Sequence, residues 1–188
     1  MEIHLIRHGR TRANEQNLYC GQTDLPLSPN GIAELADLKK LGIYPKRADL
    51  YFTSGLLRAE QTLNLLCGPV RREVLPLLAE YHFGSFEMKS HEELKGHADY
   101  QAWITDGTGY IPCPGGDSKQ GFTRRVLEGF GLLADKARLT GPALGVCHGG
   151  VIACIMEHLF PNIRNFYEWQ PEPGRGYTLE GVGQWRLL

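Results

Sequence analysis

The chain is 188 residues long, 42% hydrophobic and 22% charged, with a formal net charge of −1; this length suits one domain with a sizeable core, since domains run to roughly 100–200 residues. So small a net charge excludes a global basic field for nucleic acid or an anionic membrane, and any anion recognition must be local. Five cysteines (Cys20, Cys67, Cys113, Cys147, Cys154) without a CxxC pair fit a reduced, cytoplasmic protein. The opening MEIHLIRHG lacks the pattern of a signal peptide, and no apolar run approaches the ~18 residues of a membrane span.

In chain order, IHLI is a short β-rich run that ends in Arg7-His8-Gly9. LSPNGIAELADLKKLG predicts a helix, with Ser28 as cap, Pro29 in the first turn and Gly42 as stop. ADLYFTS predicts a second strand, followed by a helix over about residues 56–66. VLPLLAEYHFG reads as extended and then turning, and residues 85–116 show no clear period but many aromatics, ending in the turn cluster PCPGG. A helix over about 119–136 leads to the apolar strand ALGVC, which ends in His148-Gly149-Gly150. VIACIMEHLF reads as a buried helix, and GYTLE and QWRLL as closing strands. Alternating strands and helices predict an α/β fold: a three-layer α/β/α sandwich around a mostly parallel sheet, with ligands bound beyond the carboxyl ends of the strands. Two of the strongest strands end in His-Gly.

A strand end dense in cations and donors faces an anion. Phosphoryl transfer without a metal needs a nucleophile, cations for the non-bridging oxygens and an acid for the leaving oxygen. A neutral imidazole serves as the first, and guanidiniums suit phosphate oxygens by their fork of donors. His8 with Arg7 beside it meets that description, and Gly9 is expected to let the backbone approach the substrate oxygens.

The R-H-G-x-T run after an N-terminal strand resembles the signature of the histidine phosphatase (phosphoglycerate mutase-like) superfamily. GQTDLPLSPNG, TSGLLRAEQT, LAEYHFGSFE and VCHGGVI resemble that family's later segments, in family order, over essentially the whole chain. The resemblance implies a single domain over residues 1–188 with a cap or lid around 85–116. It makes His8 the nucleophile that forms a phosphohistidine, and Arg7, Arg58 and His148 the groups around the phosphoryl oxygens. Asn14, the backbone N–H of Gly149, Gln22 and Thr23 are further substrate contacts, and Glu80 is the proton donor. His82 and Arg175 are rim candidates. Arg10 stands where the family often has Glu; altered ion pairing is expected there, together with an added cation that favours a more anionic substrate. No metal or cofactor is expected.

Taken singly these residues have bland readings: His8 and His148 as core rings, Arg58 as a surface charge at a helix start, Glu80 as a rim carboxylate. HEELKGH is a near miss for HExxH, with Lys95 in place of the second His, and Cys147 points away from His148 on the strand. Tyr81, Phe83, Phe86, Tyr100, Trp103 and Tyr110 are either core or the wall of a substrate cavity. Residues 85–116 carry Lys89 and Lys95 against Glu87, Glu92, Glu93, Asp99 and Asp106, a poor clamp for a second phosphate. That favours a small-molecule phosphate monoester as partner. ADYQAWITDG, GGDSKQGFTRRV and FGSFEMKSHEEL resemble the corresponding parts of alpha-ribazole phosphatases of cobalamin synthesis. A broad-range sugar or glycerate phosphatase, a mutase, and a non-catalytic phosphate-binding module are the alternatives. The C-terminal strands could cover a sheet edge or pair with a second copy in a homodimer.

Overall fold

The computed structural model of the chain describes residues 1–181 and 183–188; Val182, within the GVGQW stretch, lies outside them. The elements are β1 (Glu2–Arg7), α1 (Arg12–Glu15), α2 (Pro29–Lys40), β2 (Leu50–Thr53), α3 (Leu57–Cys67), β3 (Glu73–Val74), α4 (His91–Leu94), α5 (Ala98–Ile104), α6 (Lys119–Thr140), β4 (Ala143–Cys147), α7 (Gly149–Leu159), β5 (Gly176–Glu180) and β6 (Gln184–Leu187). Single 3₁₀ turns cover Pro76–Leu78 and Gly84–Phe86.

The sheet has six strands in the order β3-β2-β4-β1-β5-β6. The pairs from β3 to β1 are parallel, and β5 and β6 close that edge antiparallel. Successive side chains on a strand face opposite sides, and β1 shows the consequence. Ile3 and Leu5 join the cluster made by α6 and α7 through Val126, Leu133, Ile152 and Ile155. Ile6 joins the other cluster, with Leu35 of α2 and Leu63 of α3. Two apolar faces buried by helices give the expected three layers.

Local chemistry explains where the helices begin and end. Ser28 and Ser118 accept the Gly31 and Gly121 N–H groups at 3.0 and 3.1 Å, which starts α2 and α6. Gly42 (φ 68°) and Gly141 (φ 114°) follow the ends of these helices with a backbone that L side chains rarely adopt. Between residues 85 and 116 the structure has two short helices and loops, anchored in the core by Phe86, Leu94, Tyr100 and Trp103. α4 and α5 have four and seven residues, too few for a helical period to show in the sequence. The stretch from Val74 to Gly84 is mostly irregular, β3 being two residues long.

The functional consequence lies in the connections. β1 and β4 are adjacent and parallel, yet the helix that buries Leu35 after β1 and the helix after β4 cover opposite faces. Their carboxyl ends therefore diverge into a crevice, the usual ligand position in such sheets. Among the described residues, no helix is long and apolar enough to cross a membrane.

Candidate active site

Three neighbouring strand ends deliver the principal groups. β1 ends at Arg7 and leads into His8. β4 ends at Cys147, opposite Arg7 in register, and leads into His148. β2 leads through Ser54 into α3, whose first turn holds Arg58. His8, Arg58 and His148 are 5%, 1% and 0% exposed, so burial of polar groups here demands partners.

The tautomer of His8 follows from its contacts. Nδ1 lies 2.7 Å from the Gly9 carbonyl, which can only accept, so Nδ1 carries the proton and Nε2 the lone pair. Arg58 Nε donates to that lone pair at 3.3 Å. Burial, and then Arg58 and Arg7, hold His8 well below the usual histidine range, so the ring is neutral. His148 lies edge-on to it, with ring centroids 5.2 Å apart. Its Nε2 is 2.7 Å from Ser54 Oγ, and burial followed by Arg58 keeps it neutral as well.

The two guanidiniums are held by neutral groups. Arg58 donates to the Thr23 and Gly21 carbonyls at 3.0 and 2.6 Å, and Arg7 to the Pro171 carbonyl at 2.8 Å. Among the described residues neither has a carboxylate within ion-pairing distance. Arg7 Nε and His148 Nδ1 are buried without any hydrogen-bond partner among the described residues. Buried donors of native proteins are nearly always paired, so this pocket has the electrostatics of an anion site.

Beside these groups lies a cavity of about 610 Å³ lined by Arg7, Asn14, Glu80, Gly149 and Gly150; His8 and His148, the chain neighbours of Arg7 and Gly149, and Arg58 do not themselves line it. Glu80 accepts the Tyr81 and Gly150 N–H groups at 2.9 and 3.0 Å, which fixes its carboxylate at the start of α7. A Cβ on Gly150 would stand 2.5 Å from Glu80 Oε1, so glycine is required for that approach. Asn14 spends its Oδ1 on the Thr11 N–H and hydroxyl at 2.9 and 3.0 Å, leaving its amide hydrogens as the cavity donors.

Several expectations take a different form. Gln22 and Thr23 do not line the cavity: the Gln22 amide donates to the Glu80 carbonyl at 2.9 Å and the Thr23 hydroxyl to Glu87 at 2.7 Å. His82 is also off the cavity lining, its backbone paired with Asp117. Gly9 owes its place to packing, since a Cβ there would meet Leu35 Cδ1 at 2.5 Å. Arg10 and Arg175 line a separate groove of about 390 Å³, where Arg10 pairs with Glu34 and Glu172 at 3.0 and 3.7 Å; the pair it forms with Glu172 acts on Arg7 with opposite signs, so Arg10 adds little net charge to the pocket. Of the aromatics, Tyr81, Phe83 and Trp103 line the cavity, Phe86 and Tyr100 belong to the core, and Tyr110 is exposed. Tyr19, Phe122, Phe166 and Tyr167 complete the wall. Burial pushes the Cys147 thiol well above its ordinary range, which makes it inert.

Sequence reasoning missed Ser54 and Glu87. Glu87 collects the N–H groups of Gly21, Gln22, Thr23 and Phe83, and so holds the loop whose carbonyls grip Arg58. An acidic residue close after a proton-donor candidate was visible in LAEYHFGSFE, but nothing local says what it binds.

Known proteins share this arrangement of elements. The chain is 36% identical over 164 residues to the adenosylcobalamin/alpha-ribazole phosphatase of Salmonella typhimurium, covering 85% of this chain and 79% of that one. The solved structure of the alpha-ribazole phosphatase from Shigella flexneri superposes with a TM-score of 0.84 at 29% identity, over 96% of this chain and 90% of that one. A phosphoglycerate mutase from Thermus thermophilus superposes with a TM-score of 0.74 at 32% identity, over 100% and 96% of the two chains. The sequence profile of the histidine phosphatase superfamily (branch 1) matches residues 3–180, which span β1 to β5, and the chain belongs to that superfamily.

Proposed function

We propose that the chain is a metal-independent phosphomonoesterase working through a phosphohistidine on His8, with alpha-ribazole 5′-phosphate as its substrate. The observation that carries this reading is a buried guanidinium, Arg58, and a half-buried one, Arg7, neither ion-paired among the described residues, beside an imidazole lone pair. A bound phosphoryl group takes over the Arg58 donor now resting on His8 Nε2. It also engages the free Arg7 and His148 donors, the Asn14 amide and the Gly149 N–H at the start of α7, whose positive end favours an anion.

The reaction then runs in two displacements. His8 Nε2 attacks phosphorus, the bond to the ester oxygen breaks, and Glu80 gives its proton to the leaving alkoxide. The Nδ1–H bond to the Gly9 carbonyl stabilises the charge that develops on the ring. Water then attacks the phosphohistidine and Glu80 takes its proton. The P–N bond breaks, inorganic phosphate leaves, and the Nε2 lone pair is restored.

The cavity beyond the phosphoryl pocket favours a neutral leaving group with a flat ring. Neither Lys89 nor Lys95 lines it, and Lys95 is paired with Glu92. Lys119 lines it with its amine bound to the Asp106 carbonyl, and Glu157 contributes a carboxylate. A second phosphate finds little there. Aromatic walls suit a benzimidazole by stacking, and the 85–116 segment, through Trp103 and Ile104, acts as the cap that encloses it. The relatives named for alpha-ribazole phosphatase activity support this choice.

The test is hydrolysis of alpha-ribazole 5′-phosphate, p-nitrophenyl phosphate and glycerol phosphates with chelator present, alongside trapping of acid-labile phosphoenzyme. Turnover with chelator, a labelled histidine in wild type and none in His8→Ala are expected. Loss of activity on chelation rejects the metal-free route, and equal turnover of all esters rejects the substrate assignment.

A further inference from the structure

The two ring nitrogens of His148 have unlike surroundings. Nε2 is 2.7 Å from Ser54 Oγ, whereas Nδ1 is buried with no partner among the described residues. Ser54 is 4% exposed, so its hydroxyl proton needs a protein acceptor. Its oxygen already accepts the Leu56 N–H at 3.4 Å. Among the described residues, the acceptor within hydrogen-bonding distance of that hydroxyl is His148 Nε2. Donation to Nε2 requires a lone pair there, which places the ring proton on Nδ1.

The opposite tautomer fails on two counts. It strands the hydroxyl proton of Ser54, and it leaves a lone pair at the buried Nδ1, where a bound anion would meet repulsion in place of a donor. Burial and the nearby Arg58 also disfavour the doubly protonated ring. The charges agree: Arg7 and Arg58 already balance a phosphate dianion, and a third cation 5.2 Å from His8 would draw electron density from the nucleophile.

We infer that Ser54 is a positioning residue that holds His148 in its neutral Nδ1–H form, so that this second imidazole meets the phosphoryl group as an uncharged hydrogen-bond donor. The inference deepens the phosphatase reading and rests on it for the identity of the anion. It is independent of that reading for the state of the empty ring.

Nitrogen-15 NMR of histidine-labelled protein, with His148 assigned through a His148→Asn variant, reads the tautomer directly. Ligand-free wild type should show a protonated Nδ1 and a lone-pair Nε2, with no imidazolium between about pH 6 and 8. Vanadate should shift the Nδ1–H resonance. Ser54→Ala should mix the tautomers and lower kcat on p-nitrophenyl phosphate by about 10- to 100-fold, the worth of one hydrogen bond to a charged group. Ser54→Thr, which keeps the hydroxyl, should restore the tautomer and most of the rate. A wild-type ring protonated at Nε2, a doubly protonated ring, an unmoved tautomer in Ser54→Ala, or a vanadate complex that leaves Nδ1–H unchanged overturns the inference. Absence of phosphatase activity in wild type instead overturns the functional reading, and the ligand-free spectrum still decides the tautomer.

Discussion

Replacing Glu87 by Gln tests whether the guanidinium of Arg58 is aimed by its surroundings. The two Glu87 oxygens accept five donor groups: the N–H of Gly21, Gln22, Thr23 and Phe83, and the Thr23 hydroxyl, at 2.7–3.2 Å. Oε1 faces N–H groups alone, whereas Oε2 also faces the Thr23 hydroxyl, which can turn and accept. The glutamine nitrogen therefore takes the Oε2 position and deprives the Thr23 N–H of its acceptor. The remaining bonds pass from charge-assisted to neutral. One stranded amide costs about 1–3 kcal/mol and each weakened bond up to about 1 kcal/mol more; with water reaching a half-exposed loop, the total is about 2–4 kcal/mol. Because the Gly21 and Thr23 carbonyls grip Arg58, turnover should fall about tenfold. Urea denaturation and p-nitrophenyl phosphate hydrolysis check both. A stability within about 0.5 kcal/mol of wild type with intact turnover would refute the clamp.

The same carboxylate shapes the acid limb of stability. Burial alone would raise its pKa, but hydrogen bonds from Thr23, Gln22, Gly21 and Phe83 outweigh that and hold it below the ordinary value of 4.5. The folded pKa is depressed, so this stabilisation is complete above the unfolded value and is lost as pH falls through the folded one. Glu87→Gln should flatten the limb in that range.

Three further outcomes are expected. His8 and His148 have folded pKa values well below 6.5, so below that pH the unfolded chain binds protons that the folded chain refuses. Stability should fall by about 1.4 kcal/mol per pH unit for each ring, as read from urea midpoints, and His8→Gln should remove one ring's share of the slope. Gly145→Ala would place a Cβ 2.4 Å from the Phe52 ring, across the β2–β4 register, and should destabilise by about 1–3 kcal/mol; Phe52→Leu in the same background should recover part of that loss in thermal melts. Trp103→Leu removes a ring from the cavity wall and should raise KM for alpha-ribazole 5′-phosphate about 2- to 10-fold. Glycerol 2-phosphate, which has no ring to stack, should change less in the same steady-state assay, and equal changes would argue against stacking.

Much of the architecture is legible in one dimension because local physics writes it there. Short apolar runs mark β1, β2 and β4, and Ser28-Pro29 and Gly42 punctuate α2. The order of the motifs around Arg7-His8, Arg58, Glu80 and His148 is likewise a property of the sequence, and so is the family likeness. What the chain order could not settle depends on partners far away along it. Ser54 and His148 are 94 residues apart, and Thr23 and Glu87 are 64 apart, so no local pattern reveals either bond. Gln22 and Thr23 lie in a loop, where distant acceptors set the side-chain directions, and Gly9 is small because Leu35 of α2 packs against it. α1 and α4, at four residues each, are too short for the periodic signal that would reveal them. The convergence itself required the strand order β2-β4-β1. Parallel pairing between segments more than a hundred residues apart is decided by long-range burial, and it brings two imidazoles and two guanidiniums together at a single crevice.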